Sequence, residues 1–223
     1  MKVIKNIIGI IISNIFTIIV GILVSFLVPK MLSLEEYGHY RIFTLYVSYI
    51  GVCSLGIIDG IVLKYGANDY YELDRKKFRS YFLWYTIVQL CICSIFVTLA
   101  LVIPNKNYAF IIFELGINLI AVNITGYFQQ ISQITQRFKE YSIRKILQSL
   151  LSIVIVLGLF WLFYKGNIIT YKIYVICVVI SNYALAGWYI ITYRDIIFGK
   201  NDGLGSTARN VIDLIKQGFP LLL

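Results

Sequence analysis

Charge is what this sequence has least of. Of 223 residues, only 14% are Asp, Glu, Lys or Arg, against roughly 25% in an ordinary soluble domain. Hydrophobic residues make up 59% and the mean hydropathy is +0.80. Acids are scarcer than bases, 11 against 20, for a formal net charge of +9. Histidine occurs once, as His39 in a connecting segment, and the four cysteines, Cys53, Cys91, Cys93 and Cys177, all lie in apolar runs. A metal site needs further His or Cys ligands close by, and disulfides need paired sites in an oxidising compartment. Neither a metal nor any other cofactor is therefore expected, and the cysteines read as apolar filler. Long polar segments are missing too, which leaves no room for a soluble domain.

What remains is a series of charge-poor runs, residues 7–28, 42–63, 81–103, 108–128, 146–164 and 173–193. A bilayer core takes about 20 apolar residues per helix. The expected fold is therefore all-α: one polytopic membrane bundle of six transmembrane helices over residues 1–205. Lys2 and Lys5 precede the first run as in a signal peptide, but the run is a full span long and lacks a small-residue cleavage site, so a retained helix is expected.

Orientation follows from the bases. With the N-terminus cytoplasmic, only Lys30, Arg41, Lys106, Lys165 and Lys172 of the 20 bases fall outside, leaving 15 on the cytoplasmic side. Short loops are where this bias sets topology. The positive charge is thus accounted for by topology and anionic lipid, with no need of nucleic acid.

Polar residues inside the runs mark faces. Asn14, Thr17, Gly21 and Ser25 share one side of the first run, and Gly21 and Ser25 form a small-residue pair suited to close helix packing. In the fourth run Glu114, Asn118, Thr125, Gln129, Ser132 and Gln136 fall within an arc of about 60° at roughly 100° per residue. Such a stripe must face protein or a water-filled cavity. It either hydrogen-bonds neighbouring helices or lines a path.

Asp59 and Glu114 are the two acids within the runs. Taken as continuous spans, they lie about 15 Å apart in depth, too far for a catalytic pair. Asp59 would sit near the C-terminal end of its helix, where the macrodipole opposes a negative charge. It then needs a cation: Lys64, a base from another loop, or a transported Na⁺ or H⁺. A salt-bridge latch, an ion-coupling site and simple snorkelling remain open.

Three segments resemble a known family. "LVPKMLSLEEYGHYRIF" (27–43) is similar to the signature joining the first two helices of polysaccharide biosynthesis flippases of the multidrug/oligosaccharidyl-lipid/polysaccharide exporter superfamily. "LGIIDGIVLKYGANDYYELDRKK" (55–77) resembles the end of their second helix and the loop after it, and "LIKQGFPLLL" (214–223) the approach to their seventh. The resemblance implies two pseudo-symmetric lobes that move undecaprenyl-diphosphate-linked oligosaccharide repeat units across the plasma (inner) membrane for O-antigen, capsule or exopolysaccharide assembly. It implies no enzymatic activity. The chain ends inside the expected seventh helix, so it corresponds to the N-terminal lobe, with a C-terminal lobe as its missing partner.

On this reading residues 206–223 are an interfacial helix, with Ala208, Val211, Ile212 and Ile215 on its apolar face, followed by the start of the seventh helix. The connector 65–80 is a solvated loop with which a glycosyltransferase or polymerase of the same pathway could dock. Candidate substrate or gate residues are Asp59, Lys64, Arg41, Glu114, Asn118, Thr125 and Gln129. A multidrug exporter of the same superfamily shares the fold. A membrane glycosyltransferase would need substrate-facing acids, and the adjacent Glu35 and Glu36 of an outer loop read instead as part of a solvated interfacial turn; a polymerase would need larger outer loops.

The topology is directly testable. In a background without native cysteine, single cysteines at Asn68 and Asn105 should label from opposite sides of the membrane; labelling of both from outside contradicts it.

Overall fold

The computed structural model describes residues 2–66 and 69–221; Asn68 lies outside them. Among the described residues all regular structure is helical: α1 (Lys2–Met31), α2 (Leu34–Ser48), α3 (Ile57–Tyr65), α4 (Arg75–Val102), α5 (Lys106–Ile134), α6 (Phe138–Tyr164), α7 (Tyr171–Thr192), α8 (Arg194–Ile197) and α9 (Leu204–Gly218), with short 3-10 turns at Ile50–Ser54, Tyr70–Glu72 and Phe219–Leu221. Side-chain caps set several starts. Asp74 accepts from the backbone N–H of Lys76 and Lys77, Asn105 from Asn107 and Tyr108, and Ser33 from Glu36.

The long helices extend beyond the apolar runs. α4 has 28 residues, about 42 Å at 1.5 Å per residue, so its charged first turn projects past a hydrocarbon core of roughly 30 Å. α5 is the centre of the bundle. It touches α2, α3, α4, α6 and α7, and 56% of its most apolar window is buried, against 28% or less in the other long spans. Outer faces such as Ile11, Ile15, Ile18 and Ile22 of α1 are about half exposed, as a lipid-facing surface requires.

Register fixes the number of crossings. α1 and α6 run parallel, with Gly9 facing Ser142, Thr17 bonded to Ser149 and Asn14 to Lys145. α4 and α5 form an antiparallel hairpin, Gly116 meeting Phe96 and Asn123 meeting Gln89. α5 and α7 are parallel, joined through Asn118–Asn182 and Ser132–Tyr193. For α6 to lie parallel to α1 after that hairpin, the chain must cross once between α1 and α4. The α2–α3 pair therefore counts as one span, which gives six candidate membrane spans among the described residues.

That second span is not the continuous helix expected over 42–63. It bends by 53° between α2 with its 3-10 turn and α3, where Leu55 (φ 52°) and Gly56 (φ 76°) both adopt left-handed backbone. The unwound turn frees carbonyl groups that cannot reach water. Gln89 of α4 donates to the Cys53 carbonyl (3.1 Å), and Asn123 of α5 donates to the Ile50 carbonyl (3.4 Å) and to Gln89 Oε1 (2.6 Å). Gln89 and Asn123 are 0% and 3% exposed, so two apparently misplaced polar side chains replace the missing helical bonds.

The break also seats α9. A Cβ on Gly60 would lie 2.3 Å from the Leu214 carbonyl oxygen, and one on Gly218 would lie 2.0 Å from that of Gly56. Gly56 and Gly60, four apart, thus let α3 and α9 touch backbone to backbone. Val211 and Leu214 are buried in this contact. α9 is therefore docked on the bundle, and Ile212, expected on its apolar face, is exposed. Packing against α3 rotated the buried face by one residue toward Leu214. The start of the seventh helix falls largely on Leu222 and Leu223, outside the described residues.

The connector 65–80 is likewise held. Tyr70 and Leu73 are buried and the Tyr70 hydroxyl donates to the Asp195 carboxylate (2.9 Å), while Tyr71, Glu72 and Asp74 are exposed, an amphipathic connector with one side docked on the bundle.

Gln89→Leu and Asn123→Leu should each lower stability by about 1–3 kcal/mol, because each leaves a buried group unpaired. A double-mutant cycle read by denaturant unfolding of the purified protein should show a favourable coupling of about 0.6 kcal/mol or more; strict additivity contradicts the network.

Candidate functional site

The candidate residues separate into groups. Asp59 lies in the first turn of α3, partly buried. The expectation that it sits at an unfavourable helix end is corrected: the break at Leu55–Gly56 starts a new helix there, and its N-terminal dipole favours the carboxylate. Lys64, five residues on and therefore about 140° around the helix, is exposed over the Tyr65 ring at 5.9 Å. Among the described residues no base approaches Asp59 within salt-bridge distance, so the Asp59–Lys64 latch is not formed in this structure. Arg41 is on α2, exposed over the Tyr37 ring at 5.7 Å. None of these three joins the α5 stripe.

The stripe itself is largely assembled. Glu114, Asn118, Thr125 and Ser132 are at most 8% exposed. Asn182 of α7 donates to Asn118 Oδ1 (2.8 Å) and Ser132 shares a 2.6 Å hydrogen bond with Tyr193. Thr125 and Gln129 line a cavity of about 150 Å³ with Gln148 of α6 and Asn182. Among the described residues the Asn118 amide nitrogen and the Thr125 hydroxyl have no hydrogen-bond partner, so the stripe carries polar capacity that packing leaves unused. Gln136 is not part of it. It lies past the end of α5, exposed, with φ 57°, because the chain turns sharply into α6.

Gln148 also lines a second cleft, of about 360 Å³, between α1, α2, α6 and α7. Lys145 projects into it, donating to Asn14 Oδ1 (2.7 Å) and approaching the Tyr141 hydroxyl (3.3 Å). Sequence reasoning missed this lysine because the fifth run was begun at Ile146, which assigned Lys145 to a loop. The signal was available: Tyr141, Lys145, Gln148 and Ser152 recur at three or four residues, one face of a helix continuing into the span.

A third group closes the end of the bundle that carries the N-terminus. Arg144, 4% exposed, stacks over Tyr189 (4.4 Å) and Tyr193 (5.4 Å) and reaches Glu140 at 3.4 Å. Arg137 pairs with Glu140 and lies over Tyr70 (4.2 Å) and Tyr193 (5.1 Å). Burial works against the Arg137 charge, but Tyr193, Glu140 and Tyr70 outweigh it and hold the guanidinium above its ordinary range. Burial and the Asp195 carboxylate likewise push Tyr70 up, keeping it a hydrogen-bond donor. Asp195 is held further by Arg75 (3.6 Å), and its backbone carbonyl by Arg79 (2.8 Å). The cluster ties the ends of α4, α5, α6 and α7 together.

Glu36, read from sequence as part of a solvated turn, instead accepts from the Tyr171 backbone N–H at the start of α7 (2.5 Å). It is a structural tie at the opposite end of the bundle.

A family profile described as "Polysaccharide biosynthesis protein" matches residues 3–223. No curated protein and no solved structure matches the chain.

Glu140→Gln should destabilise the purified protein by about 1–3 kcal/mol, less than the full penalty of a buried pair because the Glu140 side chain is 31% exposed. Glu35→Gln, on an exposed turn, should change it by under about 0.5 kcal/mol. Equal thermal unfolding of the two variants contradicts the assigned role of Glu140.

Proposed function

The chain belongs to the polysaccharide biosynthesis protein family, and from that premise we propose that it is a flippase-type transporter rather than an enzyme, moving lipid-linked oligosaccharide repeat units across the plasma membrane. The observation that carries this reading is the polar interior of a membrane bundle. Asn118, Thr125, Gln129, Gln148 and Asn182 meet at spanning depth, with unpaired polar atoms beside a cavity. Polar groups unmatched by their neighbours are costly in a membrane and are retained where something polar is accommodated.

The cargo chemistry fits. A glycan and a diphosphate cannot cross hydrocarbon, whereas a polyprenyl tail can stay in it, so the transporter supplies hydroxyls, amides and a cation for the head alone. In this proposal the basic end of the bundle, with the N-terminus, is cytoplasmic. The lobe works against a second lobe in alternating access, and glycosyltransferases or a polymerase of the same pathway are its partners. A multidrug exporter is the alternative reading; the amide- and hydroxyl-rich cavity favours a glycan-bearing cargo over an apolar drug.

Complementation of a strain lacking its repeat-unit flippase tests the proposal, with the complete two-lobe protein expressed. Thr125→Val and Gln129→Leu, both on the cavity lining, should reduce surface polysaccharide several-fold while protein abundance stays near normal. Unchanged polysaccharide with both variants, or failure of the unaltered protein to complement any such strain, contradicts it.

A further inference from the structure

Lys145 is placed at membrane depth. Its partner Asn14 lies seven residues inside the first apolar run, about 10 Å from the end of that run at 1.5 Å per residue. The neighbouring register pair, Thr17 with Ser149, carries the α1–α6 seam deeper still, so this is a seam within the span and not a headgroup contact. Among the described residues no carboxylate lies within 4.0 Å of the ammonium. Both of its partners, Asn14 Oδ1 and the Tyr141 hydroxyl, are neutral. An ammonium has three donors, and a lone cation at such depth is retained where an anion or a functional path uses it.

The lining of the cleft around it is mixed: Thr17 and Gln148 contribute polar groups, and Val24, Val47 and Val178 apolar ones. Its volume of about 360 Å³ holds roughly a dozen water-sized groups, enough for a phosphate with the first carbons of a chain and too little for a glycan. The Arg137 and Arg144 guanidinium groups differ from Lys145 in already facing a carboxylate, Glu140, and three tyrosine rings.

We propose that the cleft between α1, α2, α6 and α7 binds the phosphate group of a single-chain amphiphile, with Lys145 as the anion anchor and the valines holding the proximal carbons. The assignment deepens the transport reading and rests on it for the identity of the natural cargo. The binding chemistry stands apart from transport. Lys145 takes the anion on its free N–H while Asn14 and Tyr141 keep the ammonium aimed into the cleft.

Decyl phosphate is the probe, titrated onto the purified full chain in neutral detergent and followed by native mass spectrometry and thermal shift. Inorganic phosphate, decanol and chloride are the comparators. Decyl phosphate should bind saturably, inorganic phosphate more weakly, and decanol and chloride without effect. Lys145→Met should weaken decyl phosphate binding about ten- to a hundredfold, as loss of a charged hydrogen bond does. Lys145→Arg should retain most of it and Lys172→Met, at the other end of the bundle, should leave it unchanged. Val47→Phe, which narrows the cleft and keeps the lysine, should weaken decyl phosphate but not inorganic phosphate, and it provides the test should Lys145→Met fail to fold. Equal binding by decanol, a chloride effect of the same size with the same Lys145 dependence, or indifference to both substitutions overturns the site. Lys145-dependent binding by a protein that complements no flippase-deficient strain retains the site and removes the transport reading.

Discussion

Everything in this bundle depends on one constraint: a polar group inside a bilayer has to find its partner within the protein. The second span breaks at Leu55–Gly56, and the carbonyls released at Ile50 and Cys53 are met by Asn123 and Gln89. Those two side chains also bond each other, which fixes the α4–α5 hairpin against the break. The break in turn creates a fresh helix start for Asp59 and brings Gly56 and Gly60 to the surface that receives α9. An irregular backbone, two buried amides, a carboxylate and a glycine seam are therefore one arrangement with a single physical origin.

Much of the fold was legible from the sequence because lipid imposes a length on apolar runs, and length survives without knowledge of neighbours. The break was not. "SLGIIDG" reads as apolar and continuous, and nothing in the local pattern shows that Leu55 and Gly56 leave the right-handed region. A purely local reading therefore placed Asp59 at the wrong end of a helix. The stripe on α5 was legible through its periodicity from Glu114 to Ser132, and failed at Gln136, where the helix had already ended. Lys145 was hidden by the habit of ending an apolar run at the first charge. A lysine that pairs with Asn14 is inside the span in three dimensions while sitting at the margin of the run in one. The arginine–tyrosine cluster was invisible for a different reason: Arg137, Glu140 and Arg144 form a local run, but Tyr70 and Tyr193 reach it from two distant segments.

The arrangement divides labour along the membrane normal. At the basic end, Arg137, Arg144, Glu140 and the tyrosines bind helix ends to one another, with Arg144 Nε and the Tyr189 hydroxyl left without a hydrogen-bond partner among the described residues. Deeper in, around Gln148, polar atoms are only partly matched and two cavities adjoin the same side chain.

The most direct test of that central claim is water access to the interior. In the protein without native cysteines, single cysteines at Thr125 and Gln148 should react with a small membrane-impermeant thiol reagent, and a cysteine at Leu157, on the exposed apolar face of α6, should not. Reaction at neither interior position, with the protein folded and inserted, would show that the polar residues of α5 and α6 only pack against each other, and would contradict a polar path through this lobe.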